Sequence, residues 1–281
     1  MLFPVPSLHS LHLLLAGGAG RLYRPLLRVA LAACLAACFG SAQAGRTCTP
    51  MPLTPNKLAL GLDLAQRTAQ ALDASGAEVV LLARAGQDLS SYGLRYSHVG
   101  WAVKEAAGWR VVHKLNRCGT DRAALFKQGL GEFFSDDPWR YEAAFAVPTP
   151  EVQARLRAVL TVPASARRLH TARYNMVAYP WARTYQQSNQ WAIETLALAM
   201  EPGITQRADA QAWLRMRGYR PAVLEISATQ RLGARIGMAN VAFDDHPFGP
   251  RMAGHIATVS ADSVFDWLVR AQLAGGLQRL P

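Results

Sequence analysis

Nowhere in the 281 residues is there a run of the ~18 consecutive apolar residues that a membrane-spanning helix needs, which excludes a polytopic membrane protein. Charge is scarce at 17%, against 51% hydrophobic residues and a mean hydropathy of +0.04, which excludes a disordered chain. The common catalytic signatures are missing as well: no Gly-rich phosphate loop, no His-Glu-x-x-His and no Gly-x-Ser-x-Gly elbow. No internal repeat or low-complexity tract follows residue 55. Lysine is confined to Lys57, Lys104, Lys114 and Lys127, so the net charge of +11 is almost wholly arginine. Those arginines are scattered, with no basic run and no aromatic interleaving. They read as composition and loose electrostatics, and no nucleic-acid partner is expected.

Residues 1–44 differ from the rest. Arg21, Arg24 and Arg28 precede the apolar run Val29–Phe39, and Ala42-Gln43-Ala44 offers a cleavage site before Gly45. This order predicts a signal peptide over 1–44, followed by a single α+β domain over 45–281, secreted or periplasmic. Leu31–Cys34 and Leu35–Cys38 each also resemble a lipobox. A membrane partner is expected only if Cys34 or Cys38 is lipidated, which would tether the protein without altering its fold. Cys48 and Cys118 are then the two cysteines of the exported chain, and an oxidising compartment predicts a disulfide between them. By loop-closure entropy it is worth on the order of 4 kcal/mol. A catalytic thiol at Cys118 is the rival reading.

Hydrophobic periodicity predicts a helix over 57–74, with Leu58, Leu62, Ala65, Ala69 and Leu72 on one face. A buried strand at 78–84 and an alternating hairpin, 96–104 with 109–115, follow. Further on come a helix over 121–134, a strand at 141–147 and a helix over 151–160 capped by Thr149 with Pro150 at its start. Helices are expected at 185–200, 207–217 and 263–273, and short strands at 222–226, 240–243 and 256–259. The fold class is therefore α+β, a mainly antiparallel sheet packed by helices.

Two places could carry chemistry. In the hairpin, His98, Gly100 and Ala102 share one strand face and Val99, Trp101 and Val103 the other. Register through the 105–108 loop puts His113 one diagonal step from His98, so the pair could form a base and its orienter or half a metal site. Each could equally be a hydrogen-bonded structural histidine. Later, Thr184 with Gln187 matches a capping box, which sets Ser188 in the first turns of a helix bearing a small-residue stripe, Ala192, Thr195 and Ala199. Docked on Gly100 and Ala102, that stripe would carry Ser188 towards His98, a nucleophile at a helix N-terminus. Alternatively, Ser188 is a capping hydroxyl and the stripe permits tight packing. A third cluster, Asp244-Asp245-His246, could bind a metal together with His98 or His113, but no second ligand pair at metal spacing is present. The acids are expected to cap a turn or pair with arginines. Neither a metal nor a cofactor is expected.

The segments Tyr96-Ser97-His98-Val99-Gly100-Trp101, Val112–Gly119, Tyr185-Gln186-Gln187-Ser188-Asn189-Gln190-Trp191 and Ala239–Pro247 resemble the domain-of-unknown-function family 2145 of exported bacterial proteins. The order of a His-x-Gly strand, a His on the partner strand and a nucleophile opening a later helix is more distantly similar to the circularly permuted NlpC/P60 group of papain-like hydrolases. That resemblance implies a permuted papain-like core with His98 as base, His113 as its orienter and Ser188 as nucleophile. Tyr96, Gly100, Gln187 and Asn189 would be supporting neighbours. Ser188 stands where that group carries Cys, and a serine is the poorer nucleophile in a thiol-built site. Two functions follow as expectations: a hydrolase or acyltransferase on amide or ester bonds of cell-envelope material, or a non-catalytic periplasmic binding or accessory protein with a degenerate cleft.

Overall fold

A computed structural model describes residues 53–281 of the protein. The expected signal segment 1–44, with Cys34 and Cys38, lies outside the described residues, as does Cys48, on which the expected pairing with Cys118 depends. Among the described residues no helix is long and apolar enough to cross a membrane.

Helix α1 spans Pro55–Ala74, started by Thr54, whose hydroxyl accepts the Lys57 amide, with Pro55 behind it. Strand β1 (Val79–Ala85) is buried along its whole length, consistent with its apolar run from Val79 to Ala83. The hairpin β2 (His98–Glu105) and β3 (Gly108–Asn116) closes where Glu105 pairs with Gly108, which adopts φ +99°. Then come β4 (Ala123–Gly129), α2 (Leu130–Phe134), β5 (Arg140–Ala146), α3 (Pro150–Leu160) and α4 (Pro163–Arg167). A long irregular stretch leads to α5 (Ser188–Met200), α6 (Arg207–Met216), β6 (Ala222–Glu225) and α7 (Ala228–Gly237). The chain ends with α8 (Phe248–Met252), β7 (His255–Thr258), α9 (Ala261–Arg270) and β8 (Gln278–Leu280).

The sheet is antiparallel, in the order β4-β3-β2-β1-β5-β8, and β6 pairs with β7 in a small second sheet. The fold is thus α+β, a mainly antiparallel sheet packed by helices. Both faces of the large sheet are covered. Val79, Leu81, Val99, Trp101, Val103 and Val112 pack with the buried faces of α3, α5, α6 and α9. Val80, Leu82, Ala102, Val111 and Phe145 pack with Leu64 and Leu72 of α1 and with Phe133 and Phe134 of α2.

Four local expectations differ from the structure. In α1 the buried stripe is Gly61, Leu64, Ala65, Thr68 and Leu72, while Leu58 and Leu62 are exposed. The rotation follows from Gly61, whose missing side chain lets α1 close to the end of α2: a Cβ there would lie 3.0 Å from the Phe134 carbonyl. The segment 121–134 is not one helix, because residues 123–129 complete the ladder on β3, pairing His113 with Phe126 and Lys114 with Leu125. Tertiary pairing outweighs their helix propensity, and only Leu130–Phe134 is helical. Residues 241–243 are irregular rather than a strand, with Phe243 buried in the small third core beside Leu224 and Ile256. Finally, Gln187 rather than Thr184 caps α5, its side-chain oxygen accepting the Asn189 amide.

Gly100 is required by close approach: a Cβ there would meet Val111 Cγ1 at 2.5 Å and His113 Cβ at 2.9 Å. Gly100→Ala is expected to destabilise the protein by about 1–3 kcal/mol, read as a lowered urea midpoint with unchanged slope.

Candidate functional site

His98 and His113 are brought together. Alternation along β2 and β3 turns both towards α2, and His98 Nε2 lies 2.8 Å from His113 Nδ1. His113 Nε2 lies 2.8 Å from Gln128 Oε1 on β4. A carbonyl oxygen only accepts, so His113 Nε2 carries its proton and donates, leaving Nδ1 to accept from His98 Nε2–H. The result is a directed chain, His98 to His113 to Gln128. Phe133 closes over it, with ring centroids 5.9 Å from His98 and 5.2 Å from His113. Arg84, the partner of His98 across the ladder, donates to the Phe133 carbonyl and pairs with Asp136 at 2.6 Å. Burial, and secondarily the Arg84 charge, hold His98 well below the usual histidine range and draw His113 down to about 4. Both rings are therefore neutral at neutral pH, sealed beneath an aromatic side chain.

Ser188 does not join them. Its helix packs on the opposite face of the sheet, where Trp101 Nε1 donates to the Ala192 carbonyl at 3.0 Å. The expected docking of the Ala192, Thr195 and Ala199 stripe on Gly100 and Ala102 is corrected accordingly. The space over Gly100 is taken by its cross-strand neighbours, and the face it shares with His98 belongs to α1 and α2. The Ser188 hydroxyl instead lies near the buried Tyr174 phenol, which burial pushes up and the hydroxyl opposes.

The polar residues around Ser188 are buried and face backbone groups. Asn189 Oδ1 accepts the Val99 amide at 3.0 Å, and its Nδ2 donates to the Val259 carbonyl at 3.1 Å. Gln187 Nε2 donates to Thr258 Oγ1 and the Val259 carbonyl at 2.7 and 2.8 Å. Gln190 Nε2 donates to the Pro180 carbonyl at 3.1 Å. Tyr96 packs edge-on against Phe265 in the core. These side chains hold α5 to the start of β2, to the end of β7 and to the irregular segment before it, satisfying buried backbone groups where no ladder can.

Sequence reasoning missed a buried charged cluster on the same side as α5. Glu194, in mid-helix, accepts from Arg207 Nε at 2.7 Å and NH2 at 3.1 Å, from Gln186 Nε2 at 2.6 Å and from Gln211 Nε2 at 2.9 Å. Lys114 donates to Gln186 Oε1 at 2.8 Å and to the Thr171 carbonyl at 2.6 Å. Burial, with Arg207 nearby, draws Lys114 down to about 6, Glu194 opposing. Its signal was available: Lys114 falls on the inward face of an alternating strand, and Glu194 is the one charged residue of α5.

The Asp244-Asp245-His246 loop fastens the same irregular stretch. Asp245 Oδ2 accepts the Tyr179 amide at 2.8 Å, His246 Nε2 donates to the Val177 carbonyl at 2.8 Å, and Asp244 accepts from the Tyr185 hydroxyl at 3.2 Å. Burial raises Asp245 and lowers His246. His98 and His113 are committed to one another and to Gln128, so neither completes a ligand set with this loop.

In comparisons with known proteins, the family profile described as an uncharacterized protein conserved in bacteria, DUF2145, matches residues 71–268. The chain belongs to that family. No curated protein and no solved structure matches it.

Removing the Glu194 carboxylate strands the Arg207 guanidinium in the core. Glu194→Ala is expected to cost about 3–5 kcal/mol in urea unfolding, with Glu194→Gln recovering part of it. For the imidazoles, an unperturbed value of 6.5 against about 4 for folded His113 means that the folded protein binds fewer protons between those limits. Their contribution is complete above pH 6.5 and is lost as pH falls towards 4. The urea midpoint should drop across that window, less steeply in a His98→Leu/His113→Leu double variant.

Proposed function

We propose that the protein is exported, is held by a Cys48–Cys118 cross-link, and serves in the bacterial envelope as a non-catalytic binding or accessory protein. The observation that carries this reading is that α5, the helix bearing Ser188, packs on the sheet face opposite the one the imidazoles occupy. General-base catalysis needs the base within hydrogen-bond reach of the proton it removes. Here His98 is engaged by His113, and the hydroxyl near Ser188 is the Tyr174 phenol, not an imidazole. A helix laid on an antiparallel sheet, with its N-terminus tied to the start of a His-x-Gly strand, supports reading the core as a degenerate permuted papain-like one. The inward turn of the histidines is where it departs from a working site. Without a base, Ser188 stays a neutral alcohol at physiological pH and attacks neither an amide nor an ester.

A fluorophosphonate probe tests this. The mature protein is expected to remain unlabelled, as is Ser188→Ala. Labelling of the wild type that disappears in Ser188→Ala and in His98→Ala would restore the hydrolase reading.

A further inference from the structure

The rim of the sheet offers a concave site that the histidines and Ser188 do not touch. At the end where β1 finishes and β2 and β5 begin, the 86–97 connection and the short 135–139 connection enclose a cleft of about 270 Å³. Its walls include Asp88, Ser90, Leu94, Arg95, Trp139 and Arg140. The scaffold beneath is fixed. The Trp139 amide donates to the Gly86 carbonyl, the Gln87 amide to Ser97 Oγ at 3.1 Å, and Asp136 is paired with Arg84. Loops pinned to a rigid sheet are the usual place for recognition.

Trp139 is the unusual member. It is 56% exposed, whereas Trp101, Trp191 and Trp267 are sunk in the core. An indole has a large apolar face, and leaving it in water costs burial that a flat ligand would recover. The charges around it decide which ligand. Arg95 donates to Glu142 Oε2 at 2.9 Å, and Arg140 lies 3.6 Å from Glu142 Oε1. Asp88 in the wall and Asp262, whose Oδ2 accepts the Arg95 amide, supply further carboxylates. The two cations are thus fully countered, with no excess positive charge to draw in a phosphate or a carboxylate. They do leave several fixed donors and acceptors beside one exposed aromatic face.

Resting on the envelope-binding reading above, we propose that this cleft binds an uncharged β-linked glycan, one pyranose ring stacked on Trp139 and its hydroxyls bonded by Asp88, Ser90, Arg95 and Arg140. Equatorial substitution gives β-linked pyranoses a flat C–H face that suits an indole. The volume lies just below the roughly 300–1,000 Å³ of pockets that enclose a drug-sized ligand. It therefore takes a single ring, with the strand running on across the open side.

Calorimetric titration of the mature protein with cellotetraose and chitotetraose tests the proposal. Binding of at least one of them is expected, weakened at least about tenfold in Trp139→Ala and largely kept in Trp139→Phe. Affinity should hold between about 50 and about 500 mM salt, since no ion pair forms. Because Trp139 is exposed, circular dichroism should show both variants folded. Equal affinity in Trp139→Ala, binding that collapses with salt, or no binding of either sugar would each overturn the cleft assignment. Co-sedimentation with cell-wall sacculi separates the two levels. If wild type and Trp139→Ala sediment alike, the cleft is wrong while envelope binding stands. Labelling by fluorophosphonate at Ser188 would instead remove the non-catalytic reading, whatever the sugars do.

Discussion

A sheet covered by helices on both faces makes the two-residue period of each strand decisive. In a one-sided sheet an outward residue meets water and has wide latitude. Here the positions of β1 and of β2 as far as Val103 answer to one layer or the other, and moving one residue along the strand exchanges the layers. His98 and Val99 are chain neighbours, yet one lies under Phe133 and the other is tied to Asn189. The same alternation that joins His98 to His113 keeps both from α5.

The motif around Ser188 shows how polar residues dense enough to suggest a catalytic centre can serve architecture. Between α4 and α5 the chain runs from residue 168 to 187 without regular structure, and much of it is buried. Its carbonyls and amides need partners that no ladder provides. Gln186 and Gln190 supply them from one side, and Asp245, His246 and Arg207 from others. Side-chain amides suit this role because each offers both donors and an acceptor without carrying a charge.

Strong local patterns were legible in the sequence. The apolar run of β1 from Val79 to Ala83, the alternation and register of the hairpin, and the Thr149-Pro150 helix start are all local in origin, and the structure has them. The adjacency of His98 and His113 followed from register alone. What could not be read was non-local. Residues 123–129 form a strand only because β3 has an edge to fill. The α1 stripe turns because Gly61 meets α2. The side of the sheet on which α5 docks depends on which layers α1 and α2 already occupy, and small residues on both surfaces made the wrong face look complementary. Helix α7 was missed despite a readable signal, the reciprocal Ser227 and Gln230 cap.

The tethering of residues 168–187 separates two properties often treated as one, irregular shape and mobility. A connection of this length between helices would ordinarily be the place where a protease nicks a folded protein or a backbone amide trades its hydrogen with solvent early. With its peptide groups held from the core side by neutral amides and by an arginine–glutamate pair, this stretch belongs mechanically to the interior. To open, it must break bonds that run to α6 and to the 244–246 loop as well as those beside α5.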